Sequence, residues 1–298
     1  MRPVLLTVSY AITEAKTTLE EAGIESPRLE AQLLLAWAIG GRREDLAREP
    51  ERVLTERERL MFEKAVELRS LRRPLAYITG ERGFYGRDFK INRAVLVPRW
   101  ETELLVTRAL QKLKLIAGAV TVADIGTGSG CIAVTIACER TDSRVYATDI
   151  SPLALLLARK NVTRYSVGDR LELLEGDLLG PLPANITFDA IVSNPPYIAP
   201  DEIPHLQPEV RDYEPELALA GDNGAAGAKG TDLYPRIFHD AFERLKPGGW
   251  ALVEVGQGQS EEVAAMANAA GYVEVSAIDD FSGIPRVVEG RKPLLTGY

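Results

Sequence analysis

The stretch Val120-Thr121-Val122-Ala123-Asp124-Ile125-Gly126-Thr127-Gly128-Ser129-Gly130 decides how the chain folds. Its first six residues are mostly apolar and rich in β-branched side chains, which predicts a buried strand. Glycines then alternate with Thr127 and Ser129, and from Cys131 to Glu139 the apolar residues predict a helix. Glycine lets the backbone turn sharply and come within contact distance of a ligand, while the helix behind it aims its first N–H groups at the same place. As a fingerprint the loop is ambiguous. Read from Gly126 it lacks the third glycine of the dinucleotide pattern, position 131 being Cys; read from Gly128, Gly-Ser-Gly-Cys-Ile-Ala satisfies the looser form ending in Ala. No Lys-Ser or Lys-Thr follows, which excludes a Walker-type phosphate loop.

Downstream, strands and helices alternate: strands at Arg144–Thr148, Leu171–Leu174 and Ile186–Val192, with a helix at Pro152–Tyr165. A helix at Tyr234–Leu245, a strand at Trp250–Val255, a helix at Ser260–Ala270 and short strands at Tyr272–Ala277 and Arg286–Glu289 complete the pattern. Alternation of this kind predicts an α/β fold with a parallel sheet. The glycine-rich run Gly221–Gly230 interrupts it as a mobile loop or insertion.

Upstream the text is helical. Ile12, Ala15 and Leu19 recur at helical spacing before Gly23; Ser26-Pro27 opens a second helix that runs to Gly40-Gly41; Thr55 and Glu58 make a capping box for a third long helix; a short helix is expected near Glu44–Arg48. Pro74 is expected to end the helices. Tyr77–Gly80, Phe84–Gly86, Phe89–Ile91 and Val95–Val97 read as short strands broken by glycine, and a helix is expected from about Glu101 to Ala117. The organisation expected is therefore a helical N-terminal domain over residues 1–75, a β-hairpin linker over 76–98 and an α/β domain over 99–298.

In an open α/β sheet ligands bind outside the carboxyl ends of the strands. Four successive strands here put polar residues at that edge. The glycine loop ends the first; Asp149, 23 residues after Gly126, ends the second, where a carboxylate accepts both hydroxyls of a ribose. Asp149 reads also as a cap of the next helix. Gly176-Asp177 ends the third and would meet an adenine amino group. The fourth ends in Ser193-Asn194-Pro195-Pro196-Tyr197, where two prolines forbid the ladder from continuing. The Asn194 side-chain oxygen and the Pro195 carbonyl are two acceptors that would hold a planar NH2 group by both hydrogens, with Tyr197 as a flat wall. A plain strand-ending turn is the alternative.

Composition narrows the class. The net charge of -8 argues against a protein that grips nucleic acid through a broad basic face. Residues 1–80 are neutral, so the acidic excess belongs to residues 81–298, although seven basic residues cluster between Arg69 and Arg93, as a solvated face or a docking surface. No run approaches the roughly 18 apolar residues of a membrane span, and the first residues are not those of a secretory signal, so a cytoplasmic protein with no membrane partner is expected. Cys131 and Cys138 share one helix face without other ligands and read as small buried apolar residues; the only two histidines, His205 and His239, leave no metal centre or histidine triad to expect.

With these pieces in place, the glycine loop, Asp149, Gly176-Asp177 and Asn194-Pro195-Pro196-Tyr197 together resemble class I S-adenosylmethionine-dependent methyltransferases acting on a planar NH2 nitrogen. Arg73-Pro74-Leu75-Ala76-Tyr77-Ile78-Thr79-Gly80, Phe84-Tyr85-Gly86 and Val97-Pro98-Arg99-Trp100-Glu101-Thr102-Glu103 further resemble the release-factor glutamine N5-methyltransferases. The resemblance spans about residues 70–260 and implies a Rossmann-like methyltransferase sheet with a small helical N-terminal domain that recognises the substrate protein. It implies methyl transfer from S-adenosylmethionine, leaving S-adenosylhomocysteine, to the glutamine of the Gly-Gly-Gln motif in class-one peptide release factors, which are then the protein partner. It assigns Gly126, Thr127, Gly128, Ser129 and Gly130 to the cofactor's methionine portion, Asp149 to the ribose, and Asp177 and Leu178 to the adenine end. Asn194, Pro195, Pro196 and Tyr197 go to the substrate amide and catalysis, Asn194 also borders the cofactor, and Arg99 and Glu101 go to the substrate. The family usually has a proline where Trp100 stands, and a more compact turn than Gly221–Gly230. A monomer and no nucleic-acid substrate are expected.

Other readings remain open at this level: methylation of a ribosomal-protein glutamine, methylation of adenine N6 in nucleic acid with a flipped base on Tyr197, a nicotinamide dehydrogenase using the Gly128 register, and a cofactor-binding module without turnover.

Overall fold

The computed structural model describes residues 6–221 and 229–294, so residues 222–228 of the expected Gly221–Gly230 loop and the first residues of the chain lie outside the described residues. The chain divides into two compact units, Met1–Glu81 with Gln207–Tyr213, and Arg82–Leu206 with Glu214–Tyr298.

The first unit is helical: α1 (Val8–Glu21), α2 (Pro27–Ile39), α3 (Arg43–Arg48), α4 (Glu56–Ser70) and α5 (Leu75–Thr79). Local chemistry sets the ends. Thr55 Oγ1 accepts from Glu58 N at 3.3 Å while Glu58 Oε2 accepts from Thr55 N at 2.8 Å, the expected capping box. Pro27 occupies the first turn of α2, and Gly40 closes that helix in the left-handed region. Leu19, Leu34, Leu35, Phe62 and Ala65 from α1, α2 and α4 meet in one core.

Helix α5 corrects two expectations. Pro74 does not end the helical region but caps a further turn, and Tyr77–Gly80 is not a strand. A run of four residues cannot distinguish one buried helical turn from a short strand by periodicity, and here Ala76 and Tyr77 face inward together before Gly80 stops the turn at φ 78°. Val95–Val97 likewise forms no strand: Asn92 Oδ1 accepts from Ala94 N at 2.9 Å, bending the backbone into a turn, and Pro98 follows.

The second unit opens with the hairpin β1 (Glu81–Phe84) and β2 (Arg87–Lys90), then α6 (Thr102–Lys114). Next come β3 (Val120–Ile125), α7 (Cys131–Glu139), β4 (Ser143–Asp149), α8 (Pro152–Arg164), β5 (Leu171–Glu175) and β6 (Phe188–Ser193). Two short helices that the pattern did not announce follow in the chain, α9 (Pro208–Arg211), which belongs to the helical unit, and α10 (Glu216–Ala220) of the second unit, before α11 (Tyr234–Arg244), β7 (Leu245–Glu254), α12 (Ser260–Ala269), β8 (Val273–Asp279) and β9 (Pro285–Arg291). The main sheet runs β5-β4-β3-β6-β7-β9-β8. β3 to β7 pair in parallel and β9 antiparallel to its neighbours. This is the α/β, Rossmann-like methyltransferase sheet the alternation predicts, and its strand order reverses between β3 and β6, where such sheets open a crevice for ligands. Helices cover both faces; on one, Phe188, Phe238, Tyr234 and Val263 are buried together.

The hairpin is fastened to this unit. Asn161 of α8, fully buried, accepts from Lys90 N at 2.8 Å and donates to Lys90 O and to the Ser129 carbonyl of the glycine loop.

The basic cluster between Arg69 and Arg93 is largely consumed by structure. Within the helical unit Arg69 pairs with Glu30 and, at 3.0 Å, with Glu209 of the Gln207–Tyr213 segment, whose other oxygen takes Arg72 at 2.7 Å; Tyr213 Oη donates to the Leu71 carbonyl at 2.6 Å. In the second unit Arg87 pairs with Glu139 at 2.6 Å. Truncating one member of a buried ion cluster strands the others, so Arg69→Ala is expected to cost about 3–5 kcal/mol. Urea unfolding checks this, and a loss below about 1 kcal/mol, the range of an exposed pair, would contradict it.

Candidate active site

The site grows from the carboxyl ends of β3, β4 and β6. The Gly126 and Thr127 amides both donate to the Thr148 carbonyl at 2.9 Å, turning the chain off β3 and against β4. Asp124, the fifth residue of β3, is buried; its Oδ2 accepts from Thr127 Oγ1 at 2.6 Å and from Ala133 N at 3.1 Å, stapling the loop to the first turn of α7. Burial pushes the Asp124 carboxyl up to about 7, against the pull of the Thr127 hydroxyl. Gly130 has φ 80°, and a Cβ there would stand 3.3 Å from Ala158 Cβ, so a side chain would push α8 away from the loop.

Asp149 is held from both sides. Oδ2 accepts from Gly128 N and Oδ1 from Ser151 N, each at 2.8 Å. Helix α8 is capped by the Ser151 hydroxyl, which accepts from Ala154 N, so Asp149 is not the cap. Each Asp149 oxygen keeps lone-pair capacity for another donor. Burial raises its pKa, and the two amides oppose that shift.

A cavity of about 310 Å³ lies over these residues. It is lined by Gly126, Thr127, Gly128, Ser129, Asp149, Asp177, Leu178, Asn194 and Pro196 among the residues expected from sequence, and by Thr102, Ile150, Leu233 and Arg236, which were not. The positions a Cβ would take at Gly126 and Gly128 meet no atom within 4 Å, so the glycines leave open volume to an occupant. Pro215, Leu217 and Ala218 of the α10 region form part of the wall.

Asp177 is not a free acceptor: its Oδ2 takes Arg236 Nη2 at 2.6 Å, both side chains being about half exposed. Leu178 has φ 46°, and its carbonyl accepts from Thr148 Oγ1 at 2.8 Å.

The β6 ladder ends at Ser193, paired with Ile125 and Val253, one residue before Asn194. Asn194 Nδ2 donates to Thr102 Oγ1 at 3.2 Å, which leaves Oδ1 as the amide's free acceptor. Pro195 is buried and Pro196 lines the cavity. Tyr197 packs against the core on the β7 side, its hydroxyl donating to Glu254 Oε1 at 3.4 Å and its carbonyl accepting from Gln259 Nε2 at 2.8 Å. Arg99 is turned to Glu214, a buried carboxylate 2.8 Å away, and Trp100 is exposed. The expected residues of the loop, Asp149 and Asn194 thus share one cavity, whereas Gly130, Pro195, Tyr197, Arg99 and Glu101 do not line it.

Sequence reasoning missed Thr102, Glu254 and Glu214. Thr102 hid as a helix-opening residue; Glu254 and Glu214 are acids that the fold buries, and for Glu254 the signal was a charged residue closing the apolar run Trp250–Val253.

Residues 10–80 match the family described as PrmC N-terminal domain, and residues 101–206 the family described as Methyltransferase small domain. The chain is 41% identical to the release factor glutamine methyltransferase of Koribacter versatilis, over 97% of its own length and 99% of the relative's. It is also 41% identical to that of Geobacter sulfurreducens, over 97% and 98%. In fold it is similar to a methyltransferase from Pyrococcus furiosus, with a TM-score of 0.51 at 20% identity over 71% of this chain and 92% of the other. With identity of this order running through both units nearly end to end, the chain belongs to the release factor glutamine methyltransferase family.

Proposed function

We propose that this protein transfers a methyl group from S-adenosylmethionine to the side-chain amide nitrogen, N5, of the glutamine in the Gly-Gly-Gln motif of class-one peptide release factors. The observation that carries the proposal is the Asn194 amide, whose NH2 is committed to Thr102 so that its oxygen is left to accept, on the cavity shared with the glycine loop.

The residues suit the cofactor. Asp149 offers acceptor capacity to the ribose hydroxyls, the glycine loop leaves open volume beside it, and the cavity's size falls in the range of small-molecule sites, roughly 300–1,000 Å³. When bound, S-adenosylmethionine supplies a methyl group on a sulfonium, which departs as the neutral thioether S-adenosylhomocysteine. Gly126, Thr127, Gly128, Ser129 and Gly130 are assigned to its methionine portion. Asp177 and Leu178 are assigned to the adenine end, with Arg236 neutralising Asp177.

An amide nitrogen is a weak nucleophile because its lone pair is shared with the carbonyl. Two acceptors, Asn194 Oδ1 and the Pro195 carbonyl, would take both N–H groups, fix the nitrogen and favour the positive charge that grows on it as the N–C bond forms. The surplus proton on nitrogen then leaves to water, giving the neutral N-methyl amide. Alignment of this kind supplies up to about 7–11 kcal/mol in the best intramolecular reactions. Pro196 borders the cavity and Tyr197 braces the far side of the turn; Arg99 and Glu101, beside exposed Trp100, are assigned to substrate contact.

We assign recognition of the substrate protein to the helical unit, and place the enzyme in the cytoplasm as a monomer, where translation terminates. Among the described residues no helix is long and apolar enough to cross a membrane. Labelled S-adenosylmethionine incubated separately with a purified release factor, a ribosomal protein and DNA tests the proposal. Label is expected on the release factor alone, and label on DNA would overturn it.

A further inference from the structure

Gln259 is the N-cap residue of α12, and its side-chain amide is used at both ends. Nε2 donates to the Tyr197 carbonyl at 2.8 Å, and Oε1 accepts from Gly256 N at 2.9 Å. The Gln259 backbone N–H donates in turn to the Gly256 carbonyl at 3.1 Å, which closes the short loop after β7. A backbone N–H only donates and a carbonyl only accepts, so the two partners fix which end of the amide faces which. The space around it is filled by backbone. A Cβ at Gly256 would stand 2.9 Å from Gln259 Oε1, and one at Gly230 would stand 2.0 Å from the Tyr197 carbonyl oxygen and 3.0 Å from Gln259 Nε2.

The contact matters because of what Asn194-Pro195-Pro196-Tyr197 lacks. Proline has no N–H, so positions 195 and 196 give this turn no backbone donor to hold it, and it is held from its ends. Upstream, Ser193 sits in the ladder opposite Ile125 and Val253, and its hydroxyl donates to the Ile125 carbonyl at 2.8 Å. Downstream, Gln259 holds the Tyr197 carbonyl, and Ile198 N donates to the Leu219 carbonyl at 3.0 Å. The two acceptors assigned to the substrate NH2, Asn194 Oδ1 and the Pro195 carbonyl, lie between these anchors.

We propose that Gln259 is a positioning residue for methyl transfer: by holding the Tyr197 carbonyl it sets the course of the turn, and so the direction in which Asn194 Oδ1 and the Pro195 carbonyl meet the substrate amide. The inference rests on the methyl-transfer reading of that turn. Gln259 does not line the cavity that holds the glycine loop and Asp149, so its effect belongs in kcat and not in cofactor affinity.

The test is kcat and KM on a purified release factor, with cofactor Kd by calorimetry, from about pH 5.5 to about pH 8.5. The proteins are the parent, Gln259→Glu, Gln259→Met, Gly256→Ala and the double variant of the last two. Gln259→Glu keeps the size of the side chain, but at pH 8 it is a carboxylate that only accepts, set against a carbonyl. Its kcat should be about 100-fold below the parent's, the effect of misplacing a reacting group by an ångström, while cofactor Kd changes little. A protonated carboxyl has one donor and one acceptor, the pair that the amide supplies. The ratio of Gln259→Glu to parent kcat should therefore climb as pH falls, in proportion to the protonated fraction. Of the residues against the amide only Tyr197 titrates, and burial raises its phenol further above the neutral range. Gly256→Ala displaces the amide and should lower kcat by itself; joined to Gln259→Met it should cost no more than the worse of the two. Parent kcat in Gln259→Glu at pH 8 overturns the proposal, as does a loss whose ratio to the parent is the same at every pH or one matched by an equal loss of cofactor affinity. Should Gln259→Glu not fold, a Gln259→Met enzyme with the parent's kcat overturns it alone. Absence of any glutamine methylation by the parent defeats the functional reading instead, which separates the two failures.

Discussion

Asn194→Ala is expected to lower kcat by about 10²- to 10³-fold, the typical cost of removing one preorganised group that meets developing charge, while S-adenosylmethionine still binds. The asymmetry follows from where the contacts lie. The loop and Asp149 are built from β3 and β4 and hold their geometry through backbone amides and the Thr148 carbonyl, none of which involves Asn194. What Asn194 provides is an oxygen beside that cavity, aimed by Thr102. Alanine removes the oxygen and leaves Thr102 Oγ1 without its donor. Rapid-quench turnover and calorimetric titration of the cofactor measure the two quantities separately. A variant that turns over near the parent rate contradicts the assignment.

Asp149→Ala is expected to act the other way, on affinity. The carboxylate holds the Gly128 and Ser151 amides and is assigned both ribose hydroxyls. Hydrogen bonds to a charged group are worth about 1.5–3 kcal/mol each. Losing two such contacts predicts a rise in cofactor Kd of about 10²- to 10⁴-fold. Asp149→Asn, which keeps one accepting oxygen, should lose less. Calorimetry reads this directly, and a Kd within a few-fold of the parent would remove Asp149 from the ribose role.

These expectations draw on features that differ in how openly the sequence displays them. The sheet was readable because β3, β4, β6 and β7 are short apolar runs separated by helices, and because glycine, Asp149 and the two prolines mark strand ends by their own backbone chemistry. The strand ending at Ser193 is the clearest case: prolines at 195 and 196 leave no donor for a ladder, and pairing stops there. α5 was misread because a single buried turn carries no period, and α9 and α10 went unannounced because helices of four or five residues have none either. The basic cluster, left open as a solvated face or a docking surface, hid its ion pairs for another reason. Charge in a sequence shows no partner, and the acids that neutralise Arg69 come from Glu30 and from Glu209, the latter 140 positions away.

The candidate site divides along the same line. Residues whose backbone makes the site, the glycines and the Asn194 turn, announce themselves. Residues that act through contacts across strands do not: Thr102 reaches Asn194 over 92 positions and Glu254 reaches Tyr197 over 57. Arg99 illustrates the reverse, a residue singled out by motif whose guanidinium is turned to Glu214.

The central claim is that the acceptor is a glutamine amide in a release factor. Peptide mass analysis of a purified release factor after incubation with this protein and S-adenosylmethionine tests it most directly, run beside a release factor whose Gly-Gly-Gln glutamine is replaced by alanine. The account predicts one methyl group on the side-chain nitrogen of that glutamine and none on the altered factor. Equal methylation of both factors, or no methylation by an enzyme shown to bind the cofactor, would contradict it.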